Sequence, residues 1–122
     1  MNEVRVLVQG TTRDLAAFSA YMKREAALIE ENEPGTLRME IFGDESTGAV
    51  VVHEVYLDAD AFMKHTESLM EGPRMQEFLQ LFEPRRFTFL TPIDDDRVRG
   101  IAEQLNAVQA SEIAGFSRSV DG

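Results

Sequence analysis

The chain has no cysteine and no tryptophan among its 122 residues, and only two histidines, two tyrosines and four prolines. Without cysteine there can be no disulfides, thiolate metal sites, iron–sulfur clusters or cysteine nucleophiles. No apolar run approaches the roughly 20 residues that a membrane-spanning helix needs. The start Met1-Asn2-Glu3 lacks the basic and then apolar stretch of a secretory leader, so residence in the cytoplasm is expected. Basic residues are scarce: 12 Lys and Arg against 22 Asp and Glu leave a formal net charge of −10. Such a surface repels nucleic-acid phosphates and anionic lipid headgroups, which argues against either as a partner. A Gly-rich phosphate loop is also missing, so bound nucleotide or flavin is not indicated.

What is present is ordinary globular material, 43% hydrophobic and 28% charged, enough for one packed core in a chain of single-domain length. Glu3 to Gln9 is short and rich in Val and Leu, and Gly10-Thr11-Thr12 closes it, which predicts a first strand. Thr11 followed three residues later by Asp14 resembles a helix start. Leu15, Phe18, Met22, Ala26 and Ile29 then form one apolar stripe, ending before Asn32-Glu33-Pro34-Gly35.

Thr36 to Phe42 and Ala49 to Leu57 read as a hairpin around the turn-rich Gly43 to Gly48. Asp58 is a good N-cap for a second helix bearing Phe62, His65 and Leu69 on one face, broken by Gly72-Pro73. A further helical piece carries Met75, Phe78, Leu79 and Phe82, and Arg85 to Thr91 alternates as a fourth strand. The order β-α-β-β-α-β predicts an α+β, ferredoxin-like fold with an antiparallel sheet and both helices on one face.

The tail adds a third helix opened by Asp94-Asp95-Asp96, with Val98, Ile101, Leu105 and Val108 at helical spacing, and then a short strand within Ser111 to Ser119. Residues 1–92 are thus expected to form the ferredoxin-like core, and residues 93–122 a C-terminal helical extension packed on the same domain.

Setting Arg38 opposite Glu54 gives a favourable cross-strand charge pair. That register puts Leu37, Met39, Ile41, Ala49, Val51, Val55 and Leu57 with His53 under the helices. Arg38, Glu40, Phe42, Val50, Val52, Glu54 and Tyr56 then lie on an amphipathic face open to water. Such a face invites a second sheet, and the partner always at hand is another copy, so a homodimer is expected.

The segment Glu33-Pro34-Gly35-Thr36-Leu37-Arg38, then Val51-Val52-His53-Glu54-Val55-Tyr56 and Asp58-Ala59-Asp60-Ala61-Phe62-Met63-Lys64-His65, resembles the antibiotic biosynthesis monooxygenase family. The likeness spans roughly the first three quarters of the chain and carries no catalytic signature. It implies a dimeric α/β barrel of two ferredoxin-like sheets, with a pocket between sheet and helices in each subunit. It also implies oxygenation of aromatic polyketides or quinols without metal or flavin. One branch of that family degrades haem with a pocket tryptophan and a first-strand asparagine; this chain has no Trp and has Gln9 on that strand.

The expected function is a cofactor-independent, monooxygenase-like activity on a small phenolic or quinol substrate. The alternative is a non-catalytic dimeric module that binds a small hydrophobic metabolite or a protein partner. His65 would be the general base that turns a phenol into an electron-rich phenolate able to react with O₂, at the position of the family's frequent helix histidine. Its bland alternative is a half-buried histidine bonded to backbone. His53 is the second catalytic candidate if both imidazoles border one cavity, and otherwise a core histidine. Arg38 and Glu54, with Glu40, could bind substrate oxygens or form an ion-pair network across a dimer; Tyr56 could wall the pocket or pack an interface. A metal held by His53, His65 and a glutamate lacks any ligand spacing in its favour, and no stoichiometric metal, flavin or haem is expected.

Overall fold

The computed structural model describes residues 2–120. Met1 lies outside them, as do Asp121 and Gly122 at the end of the expected extension. Strand β1 (Val4–Thr11) leads into helix α1 (Leu15–Asn32), whose N-cap is Asp14: its carboxylate accepts from the Ala17 amide at 3.0 Å. The cap is thus three residues further on than Thr11, because the strand runs through that residue. Strands β2 (Thr36–Gly43) and β3 (Ala49–Tyr56) form the hairpin. Asp58 caps helix α2 (Ala59–Leu69) by accepting from the Ala61 amide at 2.9 Å. Helix α3 (Arg74–Leu81) follows, and strand β4 (Glu83–Phe89) begins at Glu83, two residues before the predicted start.

The open sheet has the order β2-β3-β1-β4-β5, antiparallel except for the last pair, with β5 being Val108–Gln109. This is the ferredoxin-like arrangement with one strand added at an edge. The tail corrects two expectations. Helix α4 (Asp96–Gln104) opens as predicted, on the Asp95 carboxylate, but stops before Val108. Asn106 takes the left-handed conformation (φ 52°), and the Asn106 and Ala107 amides turn back to the carbonyls of Glu103 and Ala102. That cap ends the helix and lets Val108 and Gln109 pair with Thr88 and Phe89. Ser111 to Ser119, where the strand was expected, has no strand and is exposed.

The hairpin register is also one residue away from the expected one. Arg38 pairs with Val55 and Met39 with Glu54, after an irregularity between Thr36 and Arg38. A one-residue slip turns every side chain of a strand to the other face. Val50, Val52, Glu54 and Tyr56 therefore lie beneath the helices with Val4, Val6 and Val8 of β1, while Val51, His53 and Val55 share the open face with Arg38, Glu40 and Phe42. Burial agrees: Tyr56 is 0% and Val50 1% exposed, whereas Phe42 is 56% exposed.

The core between sheet and helices is aromatic. Phe18 stacks on Phe82, and Phe62 meets both Tyr56 and Phe89 edge-on at 5.3 and 5.7 Å between ring centres. Val98 and Ala102 of α4 join this core. Gly35 brings α2 close to the turn before β2, since a Cβ there would lie 2.6 Å from that of Ala61.

Candidate functional site

Under α2 lies a group of polar side chains in which Glu33, His65 and Tyr56 are buried and Thr36 and Glu54 half-buried. Glu33 caps the C-terminus of α1 through its amide, which donates to the Ile29 carbonyl at 2.8 Å, and its side chain turns inward. His65 comes from the apolar face of α2, and Nδ1 lies 2.8 Å from Glu33 Oε1. Both residues are 5% exposed. The Thr36 hydroxyl at the start of β2 donates to the same Glu33 oxygen at 3.2 Å. With a carboxylate as acceptor, Nδ1 carries the ring proton and Nε2 is left as the basic atom. Among the described residues Nε2 has no hydrogen-bond partner, and His65 as a whole keeps 5% of its surface exposed.

On the sheet side of the imidazole, the Tyr56 ring lies 5.5 Å from it between centres, and the Tyr56 hydroxyl donates to Glu54 Oε1 at 3.0 Å. Glu54 and Tyr56 are two residues apart on one strand and so point the same way. Burial pushes the Glu54 carboxyl above its ordinary range. The nearby Glu33 adds to that effect, and His65, the Tyr56 hydroxyl and His53 oppose it. Burial likewise holds the Tyr56 phenol well above its ordinary value, helped by the adjacent Glu54 carboxylate. The phenol is a hydrogen-bond donor here, not a base.

His65, Glu54 and Tyr56 are therefore brought together, while His53 and Arg38 are not. His53 stands on the open face, where Nδ1 lies 3.2 Å from Glu40, its cross-strand neighbour. Arg38, on the same face, is 3.9 Å from Glu40. The two imidazoles are thus on opposite sides of the sheet and border no common cavity. They cannot share a metal ion either, and among the described residues no group of three or more His, Asp or Glu side chains could hold one.

The partner that sequence reading missed is Glu33. It sat in a segment that read as a helix stop and as part of the family resemblance but not as a site, 32 residues from His65. The available signal was His65 itself: an imidazole on an apolar stripe goes under the helix and needs a polar partner there.

A groove of about 260 Å³ opens between α1 and β2, lined by Leu15, Phe18, Met22, Ala26, Ile41 and Gly43, with Ser19 and Lys23 as its polar members. Ile41 is one pleat along β2 from Met39, the residue paired with Glu54. The groove thus ends roughly 7 Å along the strand from the polar group. Among the described residues no helix is long and apolar enough to cross a membrane.

The family model described as antibiotic biosynthesis monooxygenase matches residues 13–81. No curated protein matches the chain. Among solved structures, the chain is similar to MupZ from Pseudomonas fluorescens, with 24% identity, a TM-score of 0.76, and coverage of 97% of this chain and 96% of that one. It is also similar to SnoaB from Streptomyces nogalater, a cofactor-independent oxygenase, with 21% identity, a TM-score of 0.62, and coverage of 78% and 97%. At these identities the two structures speak for the fold. The family match takes in α1, the hairpin, α2 and α3, and with them Glu33, Glu54, Tyr56 and His65: the chain belongs to the antibiotic biosynthesis monooxygenase family.

Proposed function

We propose that the protein oxygenates a small phenol or quinol with O₂, the substrate itself supplying the electrons. The observation that carries this reading is the His65–Glu33 pair, an imidazole oriented by a buried carboxylate with its second nitrogen free. Membership of the family and the likeness to a cofactor-independent oxygenase support it.

His65 Nε2 takes the phenolic proton, and Glu33 stabilises the imidazolium that forms. The task suits the pair, because phenols ionise near about pH 10 and an imidazole is a competent acceptor near neutrality. The phenolate carbon then reduces O₂ and bonds to it, giving a peroxide. Protonation of the peroxide, loss of the proton on the same carbon, and cleavage of the O–O bond give a quinone and water. Atoms balance as phenol plus O₂ to quinone plus water. The substrate enters along the groove between α1 and β2, with its apolar body against Phe18, Met22 and Ile41. Two copies of the chain pack through the open sheet face, where Arg38, Glu40 and His53 form an interface network.

A second reading has its own support. Tyr56, Phe62 and Phe89 fill the space around His65, and a closed core there suits a dimeric module that holds an apolar metabolite in the groove without transforming it. Oxygen uptake with a panel of phenols and hydroquinones separates the two. The oxygenase consumes one O₂ per quinone formed, and the binding module takes up ligand with no oxygen consumed.

A further inference from the structure

Oxygenation of a phenol moves more protons than one imidazole handles at once. While His65 holds the phenolic proton, the new peroxide needs a proton, and the carbon that bears it must then lose one. We infer that Glu54 is the second proton carrier of the site, a carboxylic acid at neutral pH that stands on the sheet side of His65 and is held by the Tyr56 hydroxyl. This inference rests on the oxygenase reading for its role, but the protonated carboxyl is a property of the resting protein.

The geometry is that of two arms. Glu33 and Thr36 hold one side of the imidazole. On the other side, Tyr56 lies against the ring and binds Glu54. Glu54 stands in the row Val52, Glu54, Tyr56 beneath the helices and is flanked across the strands by Val6 and Met39. No Lys or Arg is bonded to it among the described residues, in contrast to Glu25, whose buried carboxylate is met by Arg74 at 2.9 Å. Glu54 is half-buried, and a carboxyl packed beside Val6, Met39 and Tyr56 with no cation bonded to it is favoured in its neutral form. The upward push on Glu54 from burial points the same way. Its Oε1 accepts from Tyr56, so Oε2 can carry the proton.

In the reaction Glu54 gives its proton to the terminal peroxide oxygen. The resulting carboxylate takes the proton from the carbon as the O–O bond breaks, and the departing hydroxide takes the proton held by His65. Both groups end as they began.

The experiment compares the parent with Glu54→Gln, which keeps an acceptor for Tyr56, and with Tyr56→Phe, which keeps Glu54 and removes the hydroxyl that holds it. Difference infrared spectroscopy at neutral pH should show a protonated carboxyl in the parent that is missing in Glu54→Gln. An NMR titration of His65 should show a second inflection in the parent that is lost in Glu54→Gln and moved to higher pH in Tyr56→Phe. With a hydroquinone, Glu54→Gln should still consume O₂ but break down the peroxide about 10²-fold more slowly, giving the unsubstituted quinone and hydrogen peroxide in place of the hydroxyquinone and water. Absence of the carboxyl band, or an unchanged ratio of hydroxyquinone to O₂ in Glu54→Gln, overturns the inference. A parent that consumes no oxygen with any substrate overturns the oxygenase reading instead, and the infrared and NMR results then decide on Glu54 alone.

Discussion

His65 Nδ1 and the Glu33 carboxylate meet at 2.8 Å across 32 residues of chain, each of them 5% exposed. The contact ties the end of α1 to the middle of α2. Removing the carboxylate strands a buried N–H, which costs about 1–3 kcal/mol. Glu33→Ala is therefore expected to lower the urea midpoint clearly, and Glu33→Gln, which can still accept from Nδ1, to lower it less. A double-mutant cycle with His65→Ala should give a coupling of about 1 kcal/mol or more.

Gly35 is expected to be intolerant of even one carbon. A Cβ there would lie 2.6 Å from that of Ala61, so Gly35→Ala pushes α2 outward and lengthens the Glu33–His65 contact. The variant should lose about 1–3 kcal/mol of stability by overpacking. Gly35→Ala together with Ala61→Gly should recover most of it, as read by thermal melts.

The fold was legible to a large extent, because Asp58 and the Asp94 to Asp96 run mark helix starts and the apolar stripes have clear periods. The hairpin register was not. Val50 to Val52 are three valines in a row, which fit either face, and the Arg38–Glu54 pairing that broke the tie ignored the irregularity before Arg38. The error moved Glu54 and Tyr56 to the wrong side of the sheet and His53 to the other. His65 kept its place because helical spacing from Phe62 and Leu69 fixed it. Glu33 was invisible because a contact between a helix end and a distant helix leaves no local pattern.

Stability should depend on pH through Glu54. Its folded pKa is raised above the ordinary 4.5, chiefly by burial, so the folded state holds this proton more tightly than the unfolded chain. The contribution to stability is full below pH 4.5 and is lost as pH rises through the raised folded value. Glu54→Gln removes that loss. Its melting temperature should exceed the parent's by a few degrees at pH 8, and the gap should close towards pH 4, as calorimetry across that range can show.

The open sheet face should be an interface between two copies. Phe42 is 56% exposed there, beside Val51 and the Glu40–His53 pair. Light scattering at micromolar concentration should give twice the chain mass of 13.7 kDa. Phe42→Asp should shift the protein towards the monomer without altering the buried site. A parent of single-chain mass would remove the paired-sheet arrangement.

The most direct test of the account is the turnover of a reactive hydroquinone by the parent and by His65→Ala, measured as oxygen uptake well below both melting temperatures. His65 is buried and paired, so the variant also loses stability. Leu69→Ala, on the same helix face one turn further on, serves as the control. A fall of about 10²–10⁴-fold in kcat is expected for His65→Ala, with Leu69→Ala near the parent. Equal oxygen consumption by the parent and His65→Ala would contradict it.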